Sequence, residues 1–110
     1  MARSVLLVFT NATDGDDAEF NRWYDEVHLK EVLEAPGFVA AERFDLGEAQ
    51  MVEAERPHRY LAIYEIAGDP ASALQALQDL APQMNMTSTL AGDAATHLYS
   101  QISPRVQQEA

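Results

Sequence analysis

The chain has 110 residues, a formal net charge of −11 and a hydrophobic content of 47%. That length fits a single domain, here residues 1–110, and that hydrophobic content is typical of a globular protein rather than a disordered one. The acidic charge repels phosphate backbones and anionic membrane surfaces, so we expect neither a nucleic acid nor a membrane as a partner.

The sequence contains no cysteine. This excludes disulfides, thiolate catalysis and cysteine-ligated zinc, and it agrees with the cytoplasmic location that we expect. The apolar stretch at residues 5–9 is shorter than the roughly 7–15 apolar residues of a signal peptide, and no run approaches the roughly 20 needed to span a bilayer. We therefore interpret the segment from Met1 to Phe9 as leading into a first strand.

The first two elements are a strand and a helix. Residues 4–10 are apolar on both faces, which is typical of a strand buried on both sides. After a turn, Asp16 and Glu19 form an acidic relative of the capping box, so a helix should begin near Asp17. We expect it to continue to about Ala35, where a Pro-Gly pair ends it.

Two strands with a polar loop between them follow. The pattern predicts a strand over 38–46, an acidic loop over 48–57 and a strand over 58–67. Alternation in the second of these strands places four residues on one side: Tyr60, Ala62, Tyr64 and Ile66.

The last part of the chain predicts a helix and a strand. Asp69 and Pro70 are a strong helix start, with Asp as N-cap and Pro at the first helical position. An apolar stripe follows at Leu74, Leu77 and Leu80. Pro82 should kink or end this helix, a fourth strand should cover 94–103, and residues 104–110 should form a frayed tail.

The predicted order, β-α-β-β-α-β, is the split motif of the ferredoxin-like α+β fold. In that architecture both helices cover one face of a four-stranded antiparallel sheet, and the other face stays bare. Because strands 4–10 and 58–67 are apolar on both faces, the bare face would be a large exposed apolar patch. A second copy is the simplest cover, so we expect a homodimer; the alternative is a monomer with a twisted sheet and an ordered tail.

The first helix carries polar residues on the face that should be buried. At about 100° per residue, Val27 and Val32 bound the arc that faces the core. Four polar side chains lie within that arc: Asn21, Tyr24, His28 and Glu31. A buried polar group without a hydrogen bond costs stability, and so many are unusual in plain packing. The pattern therefore predicts a cavity between this helix and the sheet.

His28 is the candidate acid/base, because imidazole is tuned most easily to titrate near neutral pH. Glu31 would orient it or raise its pKa, while Tyr24 and Asn21 would hold a developing oxyanion. The structural alternative is that His28 and Tyr24 only satisfy strand carbonyls and each other.

The segment Glu19 to Leu29, EFNRWYDEVHL, with the later Val32-Leu33 and Pro36-Gly37-Phe38, resembles the dimeric α+β barrel superfamily, and most closely its EthD-like branch. The similar features are an aromatic-rich first helix, a histidine one turn later and a Pro-Gly-Phe entry into the second strand. The motif covers about a third of the chain, and the element order covers nearly all of it.

The resemblance implies a dimer whose sheets pack face to face, with a pocket in each subunit between sheet and helices. Members of the superfamily include cofactor-free monooxygenases, cyclases, muconolactone isomerases and haem-degrading enzymes. It implies the acid/base role for His28 and a neighbouring hydroxyl at Tyr24. It also admits haem, but this acidic chain offers few basic anchors for propionates, so we expect no cofactor. Lys30, where we expect many similar sequences to have proline, would leave the helix less kinked.

Outside this helix, His97 and Tyr99 share one phase of the last strand. If that phase faces the helices, both would share the cavity with His28; if it faces a partner subunit, both are interface residues. Arg43 would pair either a substrate carboxylate or an acid of the protein surface or interface. Tyr64 would line either the pocket or the dimer barrel.

Other classes of site find little support. The sequence has no H-x-H or H-E-x-x-H spacing, so we expect no metal. It also lacks a Gly-rich phosphate loop and a G-x-S-x-G elbow, which argues against Rossmann-type nucleotide binding and serine hydrolysis.

These features predict a small cofactor-independent enzyme that uses His acid/base chemistry on a hydrophobic oxygenated molecule, carbonyl or phenolic. Isomerisation, cyclisation, lyase chemistry and oxygenation all suit these groups, and fold analogy does not select among them. The alternatives are a non-catalytic module that binds a small aromatic ligand or accompanies an oxygenase, and a structural dimer without a ligand.

Overall fold

A computed structural model describes residues 3–109 of the chain. Met1, Ala2 and Ala110, and with them the ends of the predicted start and tail, lie outside the described residues. The elements occur in the order β-α-β-β-α-β: β1 Ser4–Thr10, α1 17–32, β2 Phe38–Asp45, β3 Tyr60–Ile66, α2 Pro70–Leu80 and β4 Ala95–Ser100.

The four strands form one sheet in the order β2-β3-β1-β4, and each neighbouring pair is antiparallel. The two strands that are apolar on both faces, β1 and β3, occupy its centre. Residues from both helices join the core on one face of this sheet. The predicted ferredoxin-like α+β arrangement is confirmed.

The strands after β1 are shorter than predicted, because pairing stops before the apolar pattern does. The clearest case is β4, predicted over 94–103. Its only neighbour is β1, whose register with it ends where Ser4 lies opposite Ser100. Beyond this register, the N–H of Gln101 donates one bond to the carbonyl of Arg3 at 2.7 Å. Residues 104–109 have no regular secondary structure.

The core follows the alternation predicted for β3. Its four residues on the helix side are at most 4% exposed: Tyr60, Ala62, Tyr64 and Ile66. They pack with buried residues of the other elements: Leu6, Phe20, Tyr24, Val32, Phe38 and Ala73. The leucine stripe of α2 is only partly buried and packs at the margin of this core.

Helix α1 is continuous but not uniform. It consists of three parts: α-helical Asp17–Trp23, a π-helical turn Tyr24–His28 and α-helical Leu29–Val32. The sequence pattern predicted a regular helix to about Ala35, so both the π turn and the earlier end are corrections.

The start of α1 is where it was predicted, but its cap is different. The side chain of Asp16 makes no capping hydrogen bond to the helix. Its carboxylate accepts a hydrogen bond from the Thr13 hydroxyl instead, so the capping-box prediction is wrong. At α2 the prediction is confirmed: Asp69 accepts a bond from the N–H of Ser72 at 3.0 Å, and Pro70 is the first helical residue.

The other face of the sheet, which we call the open face, is apolar at its centre. Register places Val5, Leu7 and Phe9 of β1 on it, beside Leu61 and Ile63 of β3, and it also places Glu65 and Glu42 on this face. At its two edges Phe44 is 46% exposed and Tyr99 is 59% exposed. Within residues 3–109, none of the helices combines the length and the apolar character needed to cross a membrane.

Gly37 allows α2 to approach the turn between α1 and β2. Its φ is +100°, and an added Cβ would lie 2.8 Å from the Cβ of Ala73. Ala73 is 2% exposed and belongs to the core. The position therefore requires both a positive φ and the absence of a side chain.

Replacing Gly37 by alanine should destabilise the fold by about 2–4 kcal/mol, because backbone strain and overpacking add. Gly15→Ala is the matched control: its φ is +82°, but nothing lies within 4 Å of the added Cβ. That variant should lose only the backbone contribution, roughly 1–2 kcal/mol. Urea unfolding measures both, and equal losses would contradict the role given to the Ala73 contact.

Candidate functional site

The π-helical turn Tyr24–His28 divides the predicted polar arc of α1 into two parts. A π turn inserts one extra residue, so the residues after it are rotated by on the order of 100° relative to a continuous α-helix. Asn21, before the turn, contacts Arg43 and Tyr60 of the sheet. Glu31, after it, contacts residues of the 84–94 segment, which leads from α2 to β4.

The ring of His28 lies against two aromatic rings. It stacks on Trp23 with centroids 4.6 Å apart and 18° between the planes, and it meets the Tyr24 ring edge-on at 5.0 Å. Its Nδ1 lies 3.5 Å from Oε1 of Glu31. Both of these atoms are buried and hydrogen-bond to no other residue of the described chain, whereas Nε2 is not among the buried unpaired atoms.

Burial lowers the pKa of His28 below its ordinary value of 6.5, because desolvation disfavours the charged ring. Glu31 acts in the opposite direction, through its hydrogen bond and its charge, but more weakly. The neutral ring therefore prevails at neutral pH. In the tautomer with the proton on Nδ1, that N–H would face Glu31 and the lone pair would be on Nε2.

Glu31 is held by Asn85. Its Oε2 accepts hydrogen bonds from the backbone N–H of Asn85 at 2.7 Å and from the side-chain amide at 3.1 Å. The carbonyl oxygen of Asn85 accepts a bond from Nε1 of Trp23 at 2.7 Å. Asn85 of the 84–94 segment therefore contacts two of the residues next to His28, Glu31 and Trp23.

Tyr24 and Tyr64 form a hydroxyl pair inside the core. They are 2% and 1% exposed, and the Tyr64 hydroxyl donates to the Tyr24 hydroxyl over 3.4 Å. Burial raises the pKa of both tyrosines, so both hydroxyls stay protonated. Tyr64 therefore supports Tyr24 from inside the core.

Arg43 is a further neighbour of Tyr24. Its guanidinium carbon is 4.4 Å from the centroid of the Tyr24 ring, a cation–π contact. Its two terminal nitrogens donate at 2.8 Å to Asp25 and to the side-chain oxygen of Asn21. The side chain of Arg43 is 11% exposed, so the arginine of this ion pair lies largely inside the protein while its partner reaches solvent.

A cleft of about 430 Å³ opens beside Arg43, between α1 and the edge strand β2. It is lined by Asn21, Asp25, Leu29, Arg43, Phe44, Asp45 and Tyr60. This volume is in the range of small-molecule sites. Charges at the cleft are paired: Asp45 accepts from Arg59 at 2.9 Å, and the Tyr60 hydroxyl donates to Asp17 at 2.6 Å.

His97 and Tyr99 lie on the open face. Register places His97 opposite Leu7 and Tyr99 opposite Val5, away from the helices. Of the two alternatives for this strand, the structure selects the one in which neither residue shares a pocket with His28 in the same chain. Across residues 3–109 there is also no group of three or more His, Asp or Glu that could hold a metal ion.

Several residues of the site were not predicted. Trp23 and Asn85 lie around His28, and four line the cleft: Asp25, Leu29, Phe44 and Asp45. The contacts of Trp23 and Asp25 depend on the π turn, and a prediction that assumes about 100° per residue throughout the helix does not include such a turn. The one available signal for Trp23 was its place in the aromatic motif next to Tyr24. Asn85 is 54 residues from Glu31 along the chain, and no local pattern connects them.

The chain matches no protein-family model and no curated protein sequence. Solved structures of similar fold are found. An EthD family protein from Bacillus halodurans C-125 matches with a TM-score of 0.61 and 14% identity, over 93% of this chain and 100% of that one. A variant of MhuD with two manganese protoporphyrin IX bound per active site matches with a TM-score of 0.67 and 14% identity, over 96% and 99%.

A dimeric ferredoxin-like protein from an uncultured marine organism matches with a TM-score of 0.58 and 13% identity, over 97% of this chain and 93% of that one. At these identities the likeness shows the fold alone. The resemblance to the dimeric α+β barrel superfamily, including its EthD-like branch, is confirmed as a likeness of fold: the chain has the ferredoxin-like fold of these proteins.

Proposed function

We propose that the chain is a small cofactor-independent enzyme that uses His28 as general base and acid on a hydrophobic, oxygenated small molecule. The observation that carries this proposal is the buried pair of His28 and Glu31, whose facing atoms are 3.5 Å apart and otherwise unpaired among residues 3–109. Incompletely bonded buried polar groups lower stability and concentrate at functional sites. The position of His28 at the end of a π-helical turn supports the same proposal, because such turns are frequent at functional sites.

In the proposed reaction, Nε2 of neutral His28 accepts a proton from a carbon beside a carbonyl or from a phenol. Glu31 stabilises the imidazolium that forms, through Nδ1–H. Tyr24 receives a hydrogen bond from Tyr64, so its own hydroxyl proton is available for the developing oxyanion. Isomerisation, cyclisation and lyase chemistry all begin with such a proton transfer, as does activation of a phenol for oxygenation.

The substrate contacts that we propose lie in the cleft beside Arg43. Leu29 and Phe44 offer apolar surface there, and Asn21 and Arg43 offer polar contacts. This combination suits a small aromatic or hydrophobic molecule that carries oxygen. Tyr24 joins this cleft to His28, since its ring contacts both Arg43 and the imidazole.

Haem does not fit the charges around this cleft. Its propionates need cationic anchors, but Arg43 is paired with Asp25 at 2.8 Å and Arg59 with Asp45 at 2.9 Å. Either arginine would have to give up its aspartate to bind a propionate. We therefore propose chemistry by the side chains of the chain itself.

Replacing His28 by glutamine should lower the rate of proton abstraction by roughly 100-fold or more. The rate is measurable as solvent deuterium exchange into a panel of small aryl ketones, followed by NMR. Because burial lowers the pKa of His28, the wild-type rate should rise with pH and pass its midpoint below 6.5. His97→Gln is the control, since that ring lies on the open face, opposite Leu7 and away from the site, and it should keep the rate. An unchanged rate in a folded His28→Gln variant would refute the proposed role.

A non-catalytic binding module is the second candidate. The observation that favours it is that His28 does not line the cleft beside Arg43, so a ligand held there need not reach the imidazole. Binding of aryl ketones or aromatic acids in the cleft, seen as NMR shifts of Leu29, without any deuterium exchange, would support this candidate over the enzyme.

We also infer that a second copy of the chain covers the open face. That face carries five apolar side chains on the two central strands alone: Val5, Leu7, Phe9, Leu61 and Ile63. Soluble monomers rarely expose a contiguous apolar patch of this kind. Dimeric proteins are among the structures of the same fold, which supports a homodimer.

Ile63→Lys places a charge at the middle of the open face and should dissociate the dimer, raising its Kd by roughly 100-fold or more. Gln78→Lys adds the same charge at an exposed position of α2 and should leave association unchanged. Sedimentation equilibrium at micromolar concentration measures both variants. A wild-type chain that is monomeric under these conditions would contradict the inference.

A further inference from the structure

We propose that Asn85 is a positioning residue for His28: it fixes the Glu31 carboxylate, so that docking of the 84–94 segment controls how strongly His28 binds a proton. This inference rests on the proposed function of His28 and names its regulation. It assigns a role to a residue outside α1 and outside the cleft.

The two oxygens of Glu31 have different partners. Oε2 accepts two hydrogen bonds, both from Asn85, at 2.7 and 3.1 Å. Oε1 is left facing Nδ1 of His28 at 3.5 Å, buried and otherwise unpaired among residues 3–109. A carboxylate with one oxygen held by two donors cannot rotate freely, so Asn85 determines where the other oxygen points.

The same residue fixes the second neighbour of His28. The carbonyl oxygen of Asn85 accepts a hydrogen bond from Nε1 of Trp23 at 2.7 Å, and the indole stacks on the imidazole at 4.6 Å. The carboxylate at one edge of the imidazole and the ring over its face are therefore both tied to one position of the chain. Two of these three bonds use the backbone N–H and carbonyl of Asn85, so a side-chain substitution removes only the amide bond to Glu31 at 3.1 Å.

The 84–94 segment is held to the rest of the fold mainly at one end. It forms an isolated bridge between Leu90 and Ala12, and the carbonyl of Thr89 accepts a bond from Thr13 at 2.8 Å. Asp93 accepts bonds from the Asn11 amide at 2.8 Å and from the His58 ring at 2.7 Å. These contacts lie at its far end, next to the start of β4. Near α1 the segment is attached through Asn85, so Asn85 is the link between its docking and the His28 site.

Two effects of opposite sign on the pKa of His28 distinguish a positioning role of Asn85 from a role in which Asn85 only covers the ring. Glu31 raises the pKa of His28, and burial lowers it. If the Asn85 amide acts by holding Glu31, its loss leaves the carboxylate with only the backbone N–H as a donor, so the carboxylate turns away from the ring more easily and the pKa of His28 falls further. If Asn85 only covers the ring, its loss admits water and the pKa rises toward the ordinary value of 6.5.

The test is an NMR titration of the three histidines in the full chain, comparing wild type, Asn85→Ala, Glu31→Gln and the double variant. We expect Asn85→Ala and Glu31→Gln each to lower the pKa of His28, and the double variant to match Glu31→Gln alone. Ser88→Ala, an exposed position in the same segment, should shift nothing. His97 serves as the internal reference, because it lies on the open face, away from the site.

A rise in the pKa of His28 in Asn85→Ala, no change, or an equal shift with and without Glu31 would each overturn the proposal. If Asn85→Ala does not fold, Asn85→Ser also removes the amide that reaches Glu31, keeps the backbone bonds, and should shift the pKa in the same direction. The titration needs no substrate. Suppose that the pKa of His28 falls in Asn85→Ala and in Glu31→Gln, but that His28→Gln leaves deuterium exchange unchanged. The positioning role would then stand and the proposed enzymatic function would be rejected, so the two failures are distinguishable.

Discussion

One extra residue in helix α1 governs the arrangement of the site. In a continuous α-helix, Asn21 and His28 would lie on the same face, as seven residues make almost two turns. The π-helical turn rotates the later part, so Leu29 takes the place beside Asn21 and Asp25 that His28 would have held. His28 and Glu31 turn instead toward Trp23 and the 84–94 segment. Tyr24, the first residue of the turn, contacts both sides of the site.

The irregular turn destabilises the helix locally, and it lies in a well-packed region. A π turn has poorer helical hydrogen bonding than an α turn, and the polar pair beside it is incompletely bonded. Around it the aromatic packing is dense: Tyr24 contacts Phe20 edge-on at 5.5 Å and receives the guanidinium of Arg43 on its face. Contacts of this kind contribute beyond area burial alone. A rigid aromatic core can therefore hold a polar site that would destabilise a looser one.

The sequence was sufficient for features that depend on local pattern. Alternation in β3 identified its buried face, and Asp69 with Pro70 identified the start of α2, because these signals act within a few residues. It was insufficient where the outcome depends on distant contacts. The side of His97 follows from its pairing with Leu7, 90 residues away in the chain, and the attachment of Glu31 depends on Asn85. The polar arc is buried at Tyr24 and partly buried at Asn21, His28 and Glu31, and its division into two parts was not predicted.

The sheet separates the open face from the face beneath the helices, on which the His28 site is built. Neighbouring residues of a strand point to opposite faces, so Ile63 lies on the open face while Tyr64 supports Tyr24 beneath the helices. A shift of one residue in the pairing of β3 would exchange them, placing a tyrosine hydroxyl on the apolar face and an isoleucine against Tyr24. The register that builds the open face is thus the register that builds the His28 site. Single substitutions can therefore test the proposed association and the proposed proton transfer separately, but neither surface can form without the pairing of β1 with β3.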